Sequence, residues 1–341
     1  METPASDPMA RSALAIIPCL NEAERLPGLI ARVLDDPGWT DPLVVIADGG
    51  SKDGGFERAQ AIAATDPRVR VIRNPKRIQS AAINLAVAHF GLGRRWLARI
   101  DAHCRYPPGY VSSLIEDATR TGAVSVVVSM RSEGVDGFQR GVASAQNSWL
   151  GAGGAAHRRA PRPGFVDHGH HALMDLAAFR AAGGYDESFS HNEDAELDAR
   201  LRRLGGRIWL TDRARLAYLP RGSPAALFRQ YLNYGAGRAR TLKRHRERPK
   251  LRQLAPLLVA PALAALAFAP VAPLLAIPAL AWATSCCLAG AALALAKRDP
   301  AAVLAGPAAM TMHLGWSLGF WREALRFPRK GPAFARAEAG G

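Results

Sequence analysis

Residues 253–296 contain no Asp, Glu, Lys, Arg or His. A soluble domain does not expose such a run cheaply, and its length suffices for two bilayer-crossing helices of about 20 residues each. The expectation is a membrane hairpin with spans at 254–272 and 274–295, joined near Pro270 and Pro273. Arg238, Arg240, Lys243, Arg244, Arg246, Arg248, Lys250 and Arg252 stand immediately before the run and Lys297 just after it. Basic residues at both outer ends satisfy the positive-inside rule for a hairpin that returns to the cytoplasm, and anionic head groups favour 238–252 as a membrane-surface segment. A third uncharged stretch, 301–321, is interrupted by Pro307 and His313 and followed by Arg322, Arg326, Arg329 and Lys330. A complete third crossing would put those basic residues outside, so a re-entrant or interfacial segment fits better than a transmembrane one.

The net charge of +15 raises nucleic acid as a partner. The densest basic cluster, however, borders the apolar run and lacks the aromatic interleaving that stacks bases, so nucleic acid is set aside. Cys19, Cys104, Cys286 and Cys287 have no paired metal-ligand spacing, and a reducing cytosol suits them. Residues 1–11 lack a signal-peptide core and read as a flexible N-terminus, which leaves the front domain, 12–237, in the cytoplasm.

Within that domain short apolar runs end in polar residues and alternate with helical patterns. Ala13 to Ile17 stops at Pro18, before Asn21 and Glu22; Leu43 to Ala47 stops at Asp48-Gly-Gly-Ser-Lys-Asp53; Val69 to Ile72 leads to Arg77 and Gln79; Trp96 to Ile100 ends in Asp101-Ala-His103. Such alternation indicates a mostly parallel sheet flanked by helices, with ligands at the strands' carboxyl ends. No Gly-x-Gly-x-x-Gly is present, so a dinucleotide fingerprint is absent. Asp101 and His103, one residue apart on an extended chain, suit a divalent cation that also holds phosphate oxygens. Asp48 reads as a ribose or base acceptor or as a turn carboxylate, and Arg77 and Gln79 as phosphate or base contacts or as helix-entry residues.

Pro18-Cys-Leu-Asn21-Glu22, Asp48-Gly-Gly-Ser-Lys-Asp53-Gly, Asn74-Pro-Lys-Arg-Ile-Gln79 and Asp101-Ala-His103 together resemble the ordered motifs of family 2 glycosyltransferases with the GT-A fold, in the bacterial exopolysaccharide branch. The resemblance spans about residues 12 to 240. It implies a GT-A nucleotide-diphospho-sugar transferase fold followed by transmembrane helices, and a metal-dependent inverting hexosyltransferase that moves a hexose, glucose from UDP-glucose in the first instance, onto a lipid-linked saccharide. It further implies a nucleotide-sugar site at Pro18, Asn21, Glu22, Asp48, Arg77, Gln79 and Asp101, and a cation, Mg2+ or Mn2+, on Asp101 and His103. The family's usual second ligand is Asp, so His103 is a departure. The acidic pair Glu193-Asp194 opens a helix carrying Leu197, Leu201 and Leu204 at helical spacing. By the resemblance Asp194 is the catalytic base and Glu193 its support.

His168, His170 and His171 lack the distant ligands of a zinc site and read as a polar floor for an acceptor sugar, or as packing. Synthases of the family carry Gln-x-x-Arg-Trp where this chain has Gln230-Tyr-Leu-Asn233-Tyr234, a departure that tells against a processive polymerase. Gln230 stays an acceptor-side candidate, and Arg238 is either a diphosphate contact or a membrane-surface arginine. The glycine-rich segment at 151–159 is a loop over the site or a linker. The implied partners are a UDP-sugar, a polyprenyl-diphosphate-linked saccharide, the membrane and other polysaccharide-assembly enzymes. The alternatives are a synthase that charges bare polyprenyl phosphate or a glycolipid, and a membrane-anchored nucleotide-sugar sensor or scaffold. The implied domains are a cytoplasmic catalytic domain at 12–237, a basic segment at 238–252, a hairpin at 253–296, a third apolar segment at 297–321 and a basic tail at 322–341, in a bacterial inner membrane.

Overall fold

In β1 (Ser12–Cys19), Ala13, Ala15, Ile17 and Cys19 join one apolar cluster while Leu14 and Ile16 join another. A strand apolar at both parities needs cover on both faces. Helices Leu26–Leu34 and Tyr110–Thr121 supply it on one side through Leu26, Ile30, Leu114 and Ile115. Helices Gln79–Phe90 and Leu176–Ala181 supply it on the other through Ile83, Ala86 and Phe179. Each such fully buried Leu, Ile or Phe contributes roughly 1.5–3 kcal/mol relative to an exposed one.

The computed structural model describes residues 11–152, 162–189 and 191–326. The expected flexible N-terminus apart from Arg11, the glycine-rich stretch from 153 to 161 and the tail beyond 326 lie outside the described residues. The other strands are β2 (Thr40–Asp48), β3 (Val69–Arg73), β4 (Trp96–Arg99), β5 (Ser125–Ser132), β6 (Gly164–Val166), β7 (His170–Asp175) and β8 (Ile208–Tyr218). They form one sheet in the order β3-β2-β1-β4-β7-β5-β8-β6. The strands from β3 to β4 are mutually parallel, as their alternation with helices predicts. Beyond β4 the sheet becomes mixed, because β7 lies antiparallel between β4 and β5. Residues 208–218, apolar towards both ends and polar between, form a single strand, β8, paired on both sides. Its polar midsection is accommodated by an irregularity in the pairing with β5 and by Thr211, whose hydroxyl donates to the buried Asp117 at 2.5 Å.

The chain runs outward from β1 through β2 to β3 and then crosses back to β4 on the opposite side of β1. That reversal opens a crevice at the carboxyl ends of β1 and β4, the place where open α/β sheets bind ligands.

Helix Pro224–His245 packs lengthwise against helix Ala305–Ala324. Glycine makes the approach possible: a Cβ on Gly319 would lie 1.9 Å from the Leu232 carbonyl oxygen, and one on Gly235 2.0 Å from that of Trp316. Arg240 pairs with Glu323 at 3.1 Å, and Lys243 Nζ donates to the carbonyls of Glu323 and Arg326 at the helix's end. The third apolar segment thus lies along the front domain. Among the described residues one stretch, Pro273–Lys297, is long and apolar enough to cross a membrane, with 25 residues and a mean hydropathy of 1.8. Helix Gln253–Phe268 is shorter, and Leu274, Leu280, Leu288 and Leu295 leave their side chains exposed.

Candidate active site

A cleft of about 220 Å³ opens at the β1/β4 reversal, lined among others by Pro18, Glu22, Arg77, Gln79, Asp101 and His103. Its rim is held by unusual backbone. Asn21 and Arg77 adopt φ values of 56° and 57°, left-handed conformations that cost a non-glycine residue about 1 kcal/mol or more. Asn21 is compensated by bonds between loops, because its Oδ1 accepts the Lys52 amide at 2.9 Å and its own amide donates to Ser51 Oγ at 2.9 Å. Asp53 adds an acceptor for the Ala23 amide at 2.8 Å. Asp48 is 1 % exposed, and its two oxygens accept the Gly50 and Ser51 amides beside Arg73. Asn21 therefore fastens the loops after β1 and β2 together, while Asp48 braces its own loop and Arg73 of β3, both outside the set of residues that line the cleft.

The floor is a charged cluster centred on a residue that sequence reading passed over. Arg99, the last residue of β4, is 5 % exposed. Its Nε donates to Asp101 Oδ1 at 3.1 Å, its Nη1 to Asp194 Oδ1 at 2.6 Å and its Nη2 to Gln79 Oε1 at 2.8 Å. Gln79 Nε2 closes the ring on Asp101 Oδ1 at 2.5 Å. Burial alone would raise the Asp101 carboxyl, but the guanidinium and then His170 hold it well below the usual carboxylate range. Asp194 follows the same logic: burial is outweighed by Arg99, His171 and His170, and its pKa is about 2. Glu193 makes only a 3.8 Å approach to Arg99, and burial followed by the adjacent Asp194 charge pushes it up to about 7.

Asp194 opens helix Glu193–Arg203 behind Asn192, which takes a left-handed φ of 68°. Behind it runs a buried chain of hydrogen bonds. The Tyr185 hydroxyl donates to Asp194 Oδ1 at 3.2 Å and lies 2.6 Å from His171 Nδ1, while His171 Nε2 lies 2.8 Å from Asp198 Oδ1. Burial opposes a charge on His171, but Asp198 and Asp194 outweigh it and raise its pKa. In the imidazolium form every link is satisfied: His171 donates to Asp198 and to the Tyr185 oxygen, and Tyr185 donates to Asp194. His170 stands between the two carboxylates, with Nε2 3.2 Å from Asp101 Oδ2 and Nδ1 3.8 Å from Asp194 Oδ2.

Asp101, His103 and Cys104 bring one donor atom each within 4.8 Å of one another. Burial pushes the Cys104 thiol up to about 12, and a soft sulfur suits neither Mg2+ nor Mn2+. The remaining carboxylate and imidazole form a hard-to-borderline donor pair suited to Mg2+ or Mn2+, open on the cleft side to further oxygen ligands.

The structure therefore gathers Pro18, Glu22, Arg77, Gln79, Asp101 and His103 at the cleft, joins Asp101 through Arg99 to Asp194 and, more distantly, Glu193, and sets His170 beside both aspartates and His171 beside Asp194. Gln230 and Arg238 are engaged elsewhere: Gln230 Nε2 donates to the hydroxyls of Tyr218 at 2.7 Å and Tyr234 at 3.0 Å, and Arg238 lies 3.3 Å from His168 Nε2. Arg99, Tyr185 and Asp198 were missed by sequence reading. Arg99 had a visible signal, a charge inside a run otherwise ready for a central strand. Tyr185 and Asp198 had none, since a tyrosine after two glycines and an acid in a charged helix are ordinary.

Residues 14–183 match glycosyl transferase family 2. The succinoglycan biosynthesis protein ExoA of Rhizobium meliloti is 51% identical over 319 residues, covering 94% of this chain and 97% of that protein. The undecaprenyl-phosphate mannosyltransferase of Micrococcus luteus is 33% identical over 141 residues, 41% of this chain and 56% of that protein. Among solved structures, mannosyltransferase PcManGT from Pyrobaculum calidifontis in complex with GDP-Man and Mn2+ superposes with a TM-score of 0.59 at 18% identity, covering 92% of this chain and 89% of that one.

Proposed function

Because the chain belongs to glycosyl transferase family 2 and is a GT-A glycosyltransferase, we propose that it moves glucose from UDP-glucose, with inversion, onto a lipid-linked saccharide during assembly of a succinoglycan-like exopolysaccharide. The observation that carries this reading is the pair Asp101 and Asp194, each joined through one oxygen to Arg99, with Oδ2 of both turned toward His170 between them. One carboxylate serves the donor side and the other the acceptor side of a single displacement.

In that displacement the acceptor oxygen forms a bond to the anomeric carbon as the bond to the diphosphate oxygen breaks, and Asp194 receives the acceptor's hydroxyl proton. Arg99 keeps Asp194 ionised and ready to do so. Asp101 and His103 would hold a divalent cation, which when bound would supply positive charge for the leaving diphosphate. Arg77 lies at the same cleft, where its charge favours phosphate, and Pro18, Glu22 and Gln79 line the donor's path. Glu193, with a pKa near neutrality, supports the base without holding a full second negative charge beside it.

The acceptor assignment draws on the carboxy-terminal architecture. Helix Ala305–Ala324 packs on the front domain, so both ends of the apolar region between 253 and 297 lie on one side of any membrane it enters. Helix Gln253–Phe268 spans roughly 24 Å at 1.5 Å per residue, so a hairpin that dips into the bilayer and returns accounts for the segment. We place the hairpin in a bacterial inner membrane with the catalytic domain on the cytoplasmic face. A polyprenyl-linked saccharide confined to that surface meets the site by local encounter. Transfer to bare polyprenyl phosphate is the second reading, favoured by the name of the Micrococcus relative. That likeness covers 41% of the chain, whereas the ExoA likeness covers 94%, apolar region included, and favours a saccharide acceptor.

The test is a donor panel. Detergent-solubilised protein is offered UDP-glucose, UDP-galactose and GDP-mannose with a lipid-linked saccharide extract, and the product anomer is assigned by NMR. A β-linked hexose from UDP-glucose supports the proposal; an α-linked product removes the inverting mechanism.

A further inference from the structure

The place of Arg99 points to more than keeping Asp194 ionised. Its guanidinium is buried at the end of β4, in the middle of the sheet, and it is the one group within hydrogen-bond reach of both Asp101 and Asp194 among the described residues. Its Nε and Nη2 engage the donor side, Asp101 and Gln79, while Nη1 engages the acceptor side, Asp194. Arginine is suited to this, because its donors project from one rigid plane and fix the direction of each partner. With Oδ1 of Asp101 and Oδ1 of Asp194 committed to Arg99, the less engaged oxygens are the two Oδ2 atoms, that of Asp194 accepting the His171 amide at a long 3.5 Å. Those are the atoms that face His170 from either side, at 3.2 and 3.8 Å.

We propose that Arg99 is a positioning residue for the displacement: one guanidinium sets the donor-side and acceptor-side carboxylates relative to each other, so that the alignment of base, anomeric carbon and leaving group is built into the end of β4. The inference rests on the transferase reading. A lysine cannot reproduce it, since its ammonium is a point charge on a flexible stem and lacks the rigid fork that fixes the directions of Asp101, Gln79 and Asp194. Other groups face Asp194: the partly exposed His170 and the buried His171 from β7, Tyr185 from the loop before the helix, and the neighbouring Glu193 carboxylate. They do not bridge it to Gln79 as Arg99 does.

The experiment compares wild type, Arg99→Lys and Arg99→Gln in nucleotide release from UDP-glucose with a lipid-linked saccharide, across pH and cation concentration, with melting curves of each. Arg99→Lys retains charge, so a folded protein is expected, with kcat down 10- to 100-fold and KM for UDP-glucose within about threefold of wild type. Loss of the Nη1 contact weakens the stabilisation of ionised Asp194, so the acidic limb of kcat moves to higher pH, further in Arg99→Gln than in Arg99→Lys. Half-saturating cation rises in both. A merely structural arginine would lower melting temperature while leaving kcat per folded molecule and the acidic limb unchanged. That result overturns the proposal, as does a rise in KM with kcat within twofold. If Arg99→Gln fails to fold, the kcat and pH profile of Arg99→Lys decide alone. If wild type releases nucleotide from no sugar donor, the transferase reading itself falls and this inference with it, an outcome distinct from an active wild type with an indifferent Arg99.

Discussion

Glu193 and Asp194 are consecutive carboxylates with opposite fates, because one faces a guanidinium at 2.6 Å and the other reaches it only at 3.8 Å. Glu193 has a pKa raised to about 7, so the folded protein binds its proton more tightly than the unfolded chain does. The stability this contributes is complete below the unfolded value, 4.5, and is lost as pH rises through 7. Glu193→Gln should therefore flatten the fall in stability between those pH values, as followed by chemical denaturation at several pH. Asp194 and Asp101 run the other way: their contribution is present above the ordinary Asp value, 3.8, and fades as pH falls through their depressed values. Tyr185→Phe removes one donor to Asp194 and leaves His171 Nδ1 without its hydroxyl partner. A loss of about 1–3 kcal/mol in stability and a 10-fold or greater drop in kcat are expected, read by melting curves and steady-state kinetics. At this scale the motif residues were legible, since a carboxylate that ends an apolar run emerges at a strand end. What they touch was not. Asn21 and Asp48 carry the expected chemistry, yet their hydrogen bonds go to loop backbone.

At the scale of elements, β1 to β4 were readable because each is a short apolar run closed by a turn residue, and parallel neighbours need helices between them. β7 was not, because a six-residue strand inserted antiparallel between β4 and β5 is specified by long-range pairing rather than by its own periodicity. The packing of Ala305–Ala324 on Pro224–His245 was equally hidden: the first part of Pro224–His245 read as catalytic domain and its end as membrane surface, Ala305–Ala324 read as a re-entrant or interfacial segment, and the facing glycines betray the contact. Gly319→Leu should destabilise the folded protein by about 2 kcal/mol or more, since a side chain at that point meets the Leu232 carbonyl. A surface control such as Gly205→Asn, at a left-handed φ of 83° with nothing nearby, should change the melting temperature little.

Across the whole molecule, the basic block read from sequence as a membrane-surface patch is partly consumed internally. Arg240 pairs with Glu323, Arg244 with Asp186 and Lys250 with Asp167. In the proposed arrangement, membrane attachment would depend chiefly on the exposed apolar side chains of 253–297. Reconstituted into anionic vesicles, the full chain should stay bound when salt is raised from about 0.1 to 1 M, where a purely electrostatic attachment would be screened and released in a flotation assay.

The measurement that bears most directly on the account is nucleotide release from UDP-glucose with Mn2+ or Mg2+, with and without a lipid-linked saccharide, for wild type, Asp194→Asn and Asp101→Ala. Release that depends on the acceptor and falls by at least about 1,000-fold in both variants is the predicted result. Undiminished turnover in Asp194→Asn, or tight UDP binding with no turnover of any nucleotide sugar by wild type, would contradict it and leave a binding protein in place of the transferase.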